Sequence, residues 1–293
     1  MMGKRLMLAL LCMVSLLCAG CELVTEEPKR DVHFIGVGLS YKLSSGTAGS
    51  GVLIPVGTES ATGNVLPSCL HDVSSVYTRF STRGYDSFTS YSGGSSLAYI
   101  TDANGTTDSY SLCVSALDSV ASVAKDSDLT IFYYSGHGYG DGLLVLTDGI
   151  TQTVSGNTYV TGKLLGVDTL LAKLSAIAGD KLVVMDSCYS GNLVDAWAGH
   201  SSEGFERFFA GHGDSNIYVL TASAASELSF CGSEYGYFTK VVTTLLADNS
   251  RIAFSDLYDA VSEYFASRTF AYRGNLYEMH PASNTSVPLD LLV

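Results

Sequence analysis

Residues 181 to 191 read KLVVMDSCYSG, and this stretch decides the fold class. The apolar run from Leu182 to Met185 is typical of a strand that is buried on both faces, and the chain turns polar directly afterwards at Asp186. Continuous apolar strands of this kind occur in mostly parallel sheets that helices cover. In such sheets the chemistry lies just beyond the carboxyl ends of the strands, which is where Cys188 stands.

Apolar runs and helical patterns alternate along the rest of the chain. The sequence predicts further buried strands over 32–39, 129–134 and 217–220, and helices over 70–80, 111–124, 167–177, 237–247 and 257–265. This alternation predicts an α/β fold with a mostly parallel sheet and helices on both faces. Two stretches rich in Ser, Gly and Thr, 43–63 and 90–107, are predicted to be surface loops. No linker divides the chain after residue 30, so we expect one domain over 31–293.

The first residues have the features of an export signal. Residues 1–20 combine Lys4 and Arg5 with an uncharged apolar run that is too short to span a membrane, which is typical of a secretory signal peptide. The ending LCAGC resembles the bacterial lipoprotein signal, in which the last cysteine, here Cys21, receives lipid. Residues 21–30 would then form a polar tether, and Glu22 resembles its counterpart in lipoproteins of the outer membrane. We expect a cell-envelope lipoprotein held in the outer membrane by its lipid alone; a periplasmic or secreted protein is the alternative.

Charge and cysteine content narrow the classes of partner and the chemistry. The chain has 16 basic and 29 acidic residues, a net charge of −13, which argues against nucleic acid as a partner. Of its seven cysteines, three lie in or directly after the leader, and Cys69, Cys113, Cys188 and Cys231 remain. Spacing alone leaves a disulfide between Cys69 and Cys113 open. No spacing of His and Cys indicates zinc.

Two loops that follow predicted strands carry reactive side chains. LTIFYY is followed by Ser135-Gly136-His137-Gly138, and KLVVM is followed by Asp186-Ser187-Cys188. An imidazole and a thiol at neighbouring strand ends form the minimum set for a cysteine nucleophile, because the thiolate attacks and a histidine helps to generate it. The amide N–H groups of Gly138 and Cys188 are candidate donors to a developing oxyanion. A second Gly-His-Gly triplet around His212 precedes a strand, so we assign His212 to a surface loop at the opposite edge.

The two loops together resemble a known family. YYSGHG at 133–138 and DSCYSG at 186–191 resemble the signatures of the caspase-like cysteine peptidases, specifically the bacterial metacaspase type. FIGVGLSYK at 34–42, DSYSLCVSALDSVA at 108–121 and GYFTKVVTTLL at 236–246 follow in the order of the family, so the resemblance covers about 31–285. It implies a three-layer sandwich around a sheet of about six strands.

The resemblance also implies roles for single residues. Cys188 is implied as the nucleophile and His137 as the group that protonates the leaving amine. Asp72, Ser135 and Asp186 match the pocket for the side chain before the scissile bond, and two carboxylates there imply a peptide or protein substrate with Arg or Lys at that position.

Calcium binding and self-cleavage, which occur in many relatives, transfer less completely. Asp195 matches one calcium ligand of many metacaspases, but the acidic loop after the histidine is shortened to YGDGLLVLTDG. Asp195 is therefore a single candidate ligand rather than part of a set, and we expect no cofactor.

Many relatives cut themselves between the histidine and the cysteine, and the first basic residue there is Lys163. We predict any such cut at Lys163, in a loop before a helix.

Alternative interpretations exist for each of these residues. A buried cysteine at a strand end is usually inert. Asp72 could be a solvated acid on a helix, and Asp186 could serve merely to shape a turn. Both loops occurring together favours an endopeptidase. The alternative function is a catalytically silent relative that serves as a binding or scaffold lipoprotein.

Overall fold

The computed structural model describes residues 30–43, 49–102, 107–200, 217–249 and 251–284. The predicted signal peptide, Cys21, the tether up to residue 29 and His212 lie outside these residues. Within them, no helix has both the length and the apolar character needed to cross a membrane.

Strands and helices alternate through the described part of the chain. The strands are β1 Asp31–Gly38, β2 Gly49–Val56, β3 Glu59–Gly63, β4 Ser87–Ser90, β5 Ile100–Thr101, β6 Leu129–Ser135, β7 Gly138–Tyr139, β8 Leu143–Val154, β9 Asn157–Leu165, β10 Asp180–Asp186, β11 Ile217–Thr221, β12 Phe270–Tyr272, β13 Asn275–Tyr277 and β14 Ala282–Ser283. The helices are α1 Ser68–Ser81, α2 Ser109–Ala121, α3 Val167–Ser175, α4 Asn192–His200, α5 Tyr237–Asp248 and α6 Phe254–Phe265.

The central sheet has seven strands in the order β14-β11-β10-β6-β1-β4, with β5 also paired to β1. All pairs are parallel except that of β11 with the short β14. Each predicted apolar run forms one of these strands. Strands β6, β10 and β11 are largely apolar because nearly every residue in them is buried and neither face meets solvent. The predicted α/β class with a mostly parallel sheet is therefore confirmed.

Helices cover both faces of this sheet and divide the core into two apolar layers. Alternate residues of each strand point to opposite faces, so Tyr133 of β6 packs with α1, α5 and α6, whereas Phe132 packs with α2, α3 and α4. The arrangement is the expected three-layer sandwich. It also separates Cys69 on α1 from Cys113 on α2, which lie on opposite sides of the sheet. Both cysteines are free, so the disulfide that the sequence left open does not form.

A second sheet of five strands, in the order β3-β2-β9-β8-β7, was not predicted. Its strands β2 and β3 lie within 43–63, so the prediction of a surface loop there is wrong. Val52, Leu53 and Ile54 are buried in β2, and the surrounding Gly, Ser and Thr residues had concealed this short apolar run. The other predicted loop, 90–107, contains in its described part only the last residue of β4, Ser90, and the two-residue strand β5.

The long hairpin of β8 and β9 connects the two reactive loops along the chain. Lys163 lies inside β9, paired with Leu146 of β8, and its Nζ lies 3.9 Å from the centroid of the Tyr110 ring. The expectation that Lys163 occupies a loop before a helix is therefore wrong. Apolar residues alternate through this segment and form strands, which the positions of its basic residues do not reveal.

The register of the central sheet places the two reactive loops side by side. β6 and β10 are parallel neighbours, and their last residues, Ser135 and Asp186, are directly paired. Both strands end at the same edge of the sheet. The loops that carry His137 and Cys188 therefore leave from adjacent positions.

Candidate active site

A cleft of about 510 Å³ lies at the carboxyl edge of β6 and β10. Its lining includes all the predicted site residues of the two loops and of α1: Asp72, Ser135, His137, Gly138, Asp186 and Cys188. The lining also includes residues 61–66, which form the end of β3 and the segment after it, and residues 228–231. Tyr272 and Arg273, at the turn between β12 and β13, complete it.

The imidazole of His137 is held by a backbone carbonyl. Its Nε2 lies 2.7 Å from the carbonyl oxygen of Asn64, and because a carbonyl only accepts, Nε2 carries a proton and Nδ1 is left for chemistry. Burial lowers the pKa of His137, and the Asn64 carbonyl offsets this only in part. The ring lies against the backbone of Gly63, where a Cβ would stand 2.7 Å from Nε2. Gly63 and Asn64 thus fix the ring from the second sheet.

The thiol of Cys188 lies partly buried in the same cleft. Its Sγ is 3.7 Å from the carbonyl oxygen of Ser229, so the hydrogen bonds of the thiol and of the imidazole go to two different carbonyls. Burial raises the pKa of the Cys188 thiol, and the Asp186 carboxyl adds to this. The thiol is therefore protonated at neutral pH in the unliganded protein.

The turn after Cys188 is fixed by its glycine and by strained backbone. Tyr189 has φ +59°, in the left-handed region, and its N–H donates to the Glu227 carbonyl at 2.8 Å. Such a conformation costs about 1–3 kcal/mol in a residue other than glycine, so the surrounding contacts must hold it. Gly191 approaches another chain segment so closely that a Cβ would stand 2.5 Å from the Ala225 nitrogen. The Asn192 amide then bonds the carbonyls of Tyr189 and Ala225, and α4 begins.

Gly138 approaches Cys188 in the same way. A Cβ on Gly138 would stand 1.9 Å from the Cys188 carbonyl oxygen, so only glycine allows the two backbones to meet. The two predicted donors to an oxyanion are thus neighbours in the cleft.

Asp72 forms one part of the cleft floor and is not a solvated acid. Its side chain belongs to α1 but the residue is only 1% exposed. Ser135 Oγ donates to Asp72 Oδ2 at 2.9 Å, and the Gly236 N–H donates to Oδ1 at 2.9 Å. The serine of the YSGHG motif therefore holds the carboxyl at the floor.

Asp186 forms the other part of the floor and is not merely a turn former. Ser229 Oγ donates to its Oδ1 at 2.7 Å, and Thr239 donates to its Oδ2 with both Oγ1, at 2.7 Å, and its backbone N–H, at 3.1 Å. These bonds come from the segment before α5 and from its first turn.

The two carboxyls lie close to each other beneath Gly236. A Cβ on Gly236 would stand 2.2 Å from Asp186 Oδ2 and 3.1 Å from Asp72 Oδ2. Burial and the charge of Asp186 raise the pKa of Asp72 to about 8, and burial raises the pKa of Asp186. Neither carboxyl forms an ion pair with any residue that the structure describes. The floor of the cleft is therefore an acidic site without a cation.

Several residues that hold the side chains of the cleft cannot be recognised from the sequence. Asn64, Ser229, Gly236 and Thr239 act through backbone groups or single hydroxyls, and their positions in the sequence form no motif. The helical pattern after Gly236 predicted α5 but gave no indication that its first turn bonds Asp186. Only the closeness of these segments in the fold reveals their role.

The calcium position that the resemblance suggested finds no support in the described residues. Asp195 lies exposed in the first turn of α4. The described ranges contain no group of three or more His, Cys, Asp or Glu side chains that could hold a metal ion. A donor set for calcium is thus not formed around Asp195 there.

Comparisons with known proteins agree with this architecture. A search of curated proteins finds no match. Among solved structures, caspase-1 from Spodoptera frugiperda aligns with a TM-score of 0.55 and 10% identity over 88% of this chain and 87% of that one. A structural genomics target protein from Geobacter sulfurreducens aligns with a TM-score of 0.50 and 16% identity over 86% and 92%. At these identities the likeness concerns the fold, but the family model for the caspase domain matches residues 56–287, well over half of the sequence. The chain therefore belongs to the caspase-domain family.

Proposed function

We propose that the protein is a cysteine endopeptidase of the metacaspase type that cuts after Arg or Lys. The observation that carries the proposal is the pair of buried carboxyls, Asp72 and Asp186, in the cleft that contains Cys188. A guanidinium or ammonium group entering the cleft would relieve their mutual repulsion and favour ionisation of both. The two floor carboxyls would repel an acidic side chain, and the cation that lines the cleft, Arg273, lies at the turn between β12 and β13.

Binding of the basic side chain places the following carbonyl group beside Cys188. His137 Nδ1 accepts the thiol proton as Sγ forms a bond to the carbonyl carbon, and the electron pair of the C=O bond moves to oxygen. The N–H groups of Gly138 and Cys188 donate to this oxyanion. The C–N bond then breaks, the leaving amine takes the proton from His137, and the acyl group remains on Cys188 as a thioester.

Water completes the reaction from the same two residues. His137 Nδ1 accepts a proton from water while the water oxygen bonds to the thioester carbon. The C–S bond breaks, and Cys188 recovers a proton through His137. One peptide bond and one water molecule thus give a carboxylate and an amine.

We also propose that the protein is exported and anchored in the cell envelope, in the outer membrane, by lipid on Cys21. The support is the sequence of residues 1–21 alone. A Cys21→Ser variant is expected to lose both incorporation of labelled fatty acid and its place in the membrane fraction. Retention of the label in this variant would contradict lipidation at Cys21.

Hydrolysis of matched fluorogenic peptides tests the activity. Peptides ending in Arg, Lys or Asp are incubated with the protein and with its Cys188→Ala variant, each with calcium and with a chelator. We expect cleavage after Arg or Lys that the variant lacks and that the chelator leaves unchanged.

The other outcomes of this experiment separate the alternatives. Cleavage after Asp would refute the assignment of the acidic floor while leaving Cys188 as nucleophile. No cleavage of any peptide, even after limited proteolysis, would favour the silent scaffold. Loss of activity with the chelator would point to a calcium site outside the described residues.

A further inference from the structure

Two buried tyrosine hydroxyls hold the backbone N–H and the backbone carbonyl of His137. The His137 N–H donates to the Tyr41 hydroxyl at 2.9 Å, and the Tyr134 hydroxyl donates to the His137 carbonyl at 2.7 Å. The Tyr41 hydroxyl in turn donates to the Val145 carbonyl at 2.7 Å. Both tyrosines are fully buried, so water does not compete for these bonds.

The ring of Tyr41 also limits the orientation of the imidazole. It lies 4.9 Å from the His137 ring, centroid to centroid, with 33° between the planes. The backbone of Gly63 lies against the imidazole as well. Gly136 makes room for the hydroxyls, because a Cβ there would stand 2.6 Å from the Tyr134 hydroxyl and 2.7 Å from that of Tyr41.

Tyr41 itself is held in an unusual backbone conformation by Asp102. Its φ is +56°, in the left-handed region, which costs an aromatic residue about 1–3 kcal/mol unless its surroundings stabilise it. Asp102 is fully buried and accepts the N–H groups of Tyr41 and of Ser40, the latter at 2.7 Å, as well as the Ser40 hydroxyl at 3.1 Å. The proposed reaction gives Asp102 no chemical role.

We infer that Tyr41, held in place by Asp102, is a positioning residue for His137. Its hydroxyl fixes the peptide of His137 and its ring fixes the imidazole plane, so that Nε2 meets the Asn64 carbonyl and Nδ1 stays turned to the reaction. The catalytic consequence rests on the proposed function, whereas the effect on the imidazole does not.

A Tyr41→Phe variant of the full chain tests the inference, because it removes the hydroxyl and keeps the ring. Tyr91→Phe is the matched control, since its hydroxyl lies 3.2 Å from Nδ1 of His33, elsewhere in the central sheet. We expect kcat on a basic peptide to fall about 10- to 100-fold in Tyr41→Phe, with KM within about twofold, because displacing a catalytic group by about 1 Å has effects of this size. The control is expected to keep the wild-type kcat.

The second readout is the NMR signal of the His137 ring, assigned by its loss in His137→Gln. We expect this signal to shift in Tyr41→Phe and to stay unchanged in Tyr91→Phe. Wild-type kcat or an unmoved His137 signal in Tyr41→Phe would overturn the inference. If the wild-type protein cleaves no peptide, the proposed function fails, and the NMR signal alone decides the positioning role.

A second variant covers the case in which Tyr41→Phe does not fold. Asp102→Asn replaces one carboxylate oxygen by an amide group that cannot accept, so Tyr41 or Ser40 loses its acceptor. We expect the His137 signal to shift in this variant too. An unchanged signal in folded Asp102→Asn would likewise refute the inference.

Discussion

At the scale of single residues, the proposed role of the acidic floor makes substrate binding depend on pH. Because the pKa of Asp72 lies at about 8, Asp72 and Asp186 are both ionised only above that pH in the free protein. We expect KM for an Arg peptide to fall as pH rises through about 8. In Asp72→Asn this pH dependence should disappear. The value of kcat/KM should fall roughly 30-fold or more, which corresponds to a loss of about 2 kcal/mol in transition-state stabilisation. A pH series of KM for both proteins checks this, and an unaltered pH dependence in the variant would contradict it.

The ionised Asp72 carboxyl should also lower the stability of the folded protein at high pH. Asp72 ionises near its ordinary pKa of 3.8 in the unfolded chain but only near 8 in the folded protein. The folded protein therefore holds the proton of Asp72 more tightly than the unfolded chain does. The stability that this proton provides is fully present below pH 3.8 and is lost as pH rises through about 8. We expect Asp72→Asn to be more stable than the wild type at pH 9 by about 1–2 kcal/mol, a rise of a few degrees in Tm. At pH 4 the difference should vanish or reverse.

Asp128 provides the control of opposite sign for this measurement. It is 2% exposed, but its pKa is lowered: burial acts to raise it, and hydrogen bonds from His33, the Lys125 N–H and Ser127 outweigh that effect. Asp128→Asn should therefore destabilise the protein at pH 9. Thermal unfolding at pH 4 and pH 9 compares both variants, and a lower Tm for Asp72→Asn at pH 9 would show that its carboxylate stabilises the fold.

At the scale of elements, the part of the chain between His137 and Cys188 that contains Lys163 is a folded hairpin of β8 and β9, not a processing loop. Its strand β9 pairs with β8 on one side and with β2 on the other, so it is an interior strand of the second sheet. A cut at Lys163 would have to separate a paired strand. We therefore expect the active protein to be a single chain, and Lys163→Ala to keep wild-type activity.

Intact-mass analysis of the active protein checks this expectation. A single species that spans both His137 and Cys188, with active-site label on Cys188, is the expected result. Activity that appears only after a cut between these residues, and that Lys163→Ala prevents, would contradict it.

The elements also show where sequence patterns are informative and where they are not. Strands β6 and β10 were predictable because burial on both faces demands an unbroken apolar run, and the loops after them followed from sheet geometry. The strands β2 and β3 were not, because β2 has a buried apolar run of only three residues, Val52 to Ile54, and β3 is mostly exposed. Asn64 was missed for a related reason, since a backbone carbonyl that holds a histidine leaves no trace in the side-chain sequence.

At the scale of the whole molecule, the net charge of −13 should favour cationic substrates before they reach the cleft. An excess of negative charge attracts a basic peptide over a distance that salt shortens, from about 10 Å at 0.1 M to about 3 Å at 1 M. We expect kcat/KM for a peptide with several Arg or Lys residues to fall steeply between these salt concentrations. A peptide whose only cation is the one before the scissile bond should lose less, because the buried floor is screened less than the surface.

Comparing the two peptides in the same salt series separates the surface field from the acidic floor. Both peptides present the same residue to Asp72 and Asp186, so a difference in their salt dependence reports only the charge on the rest of the protein. Equal slopes would mean that the surface field contributes nothing and that the floor alone attracts the substrate. In that case Asp72→Asn should remove most of the salt dependence of both peptides, whereas a dominant surface field would leave the slope of the multiply charged peptide in place.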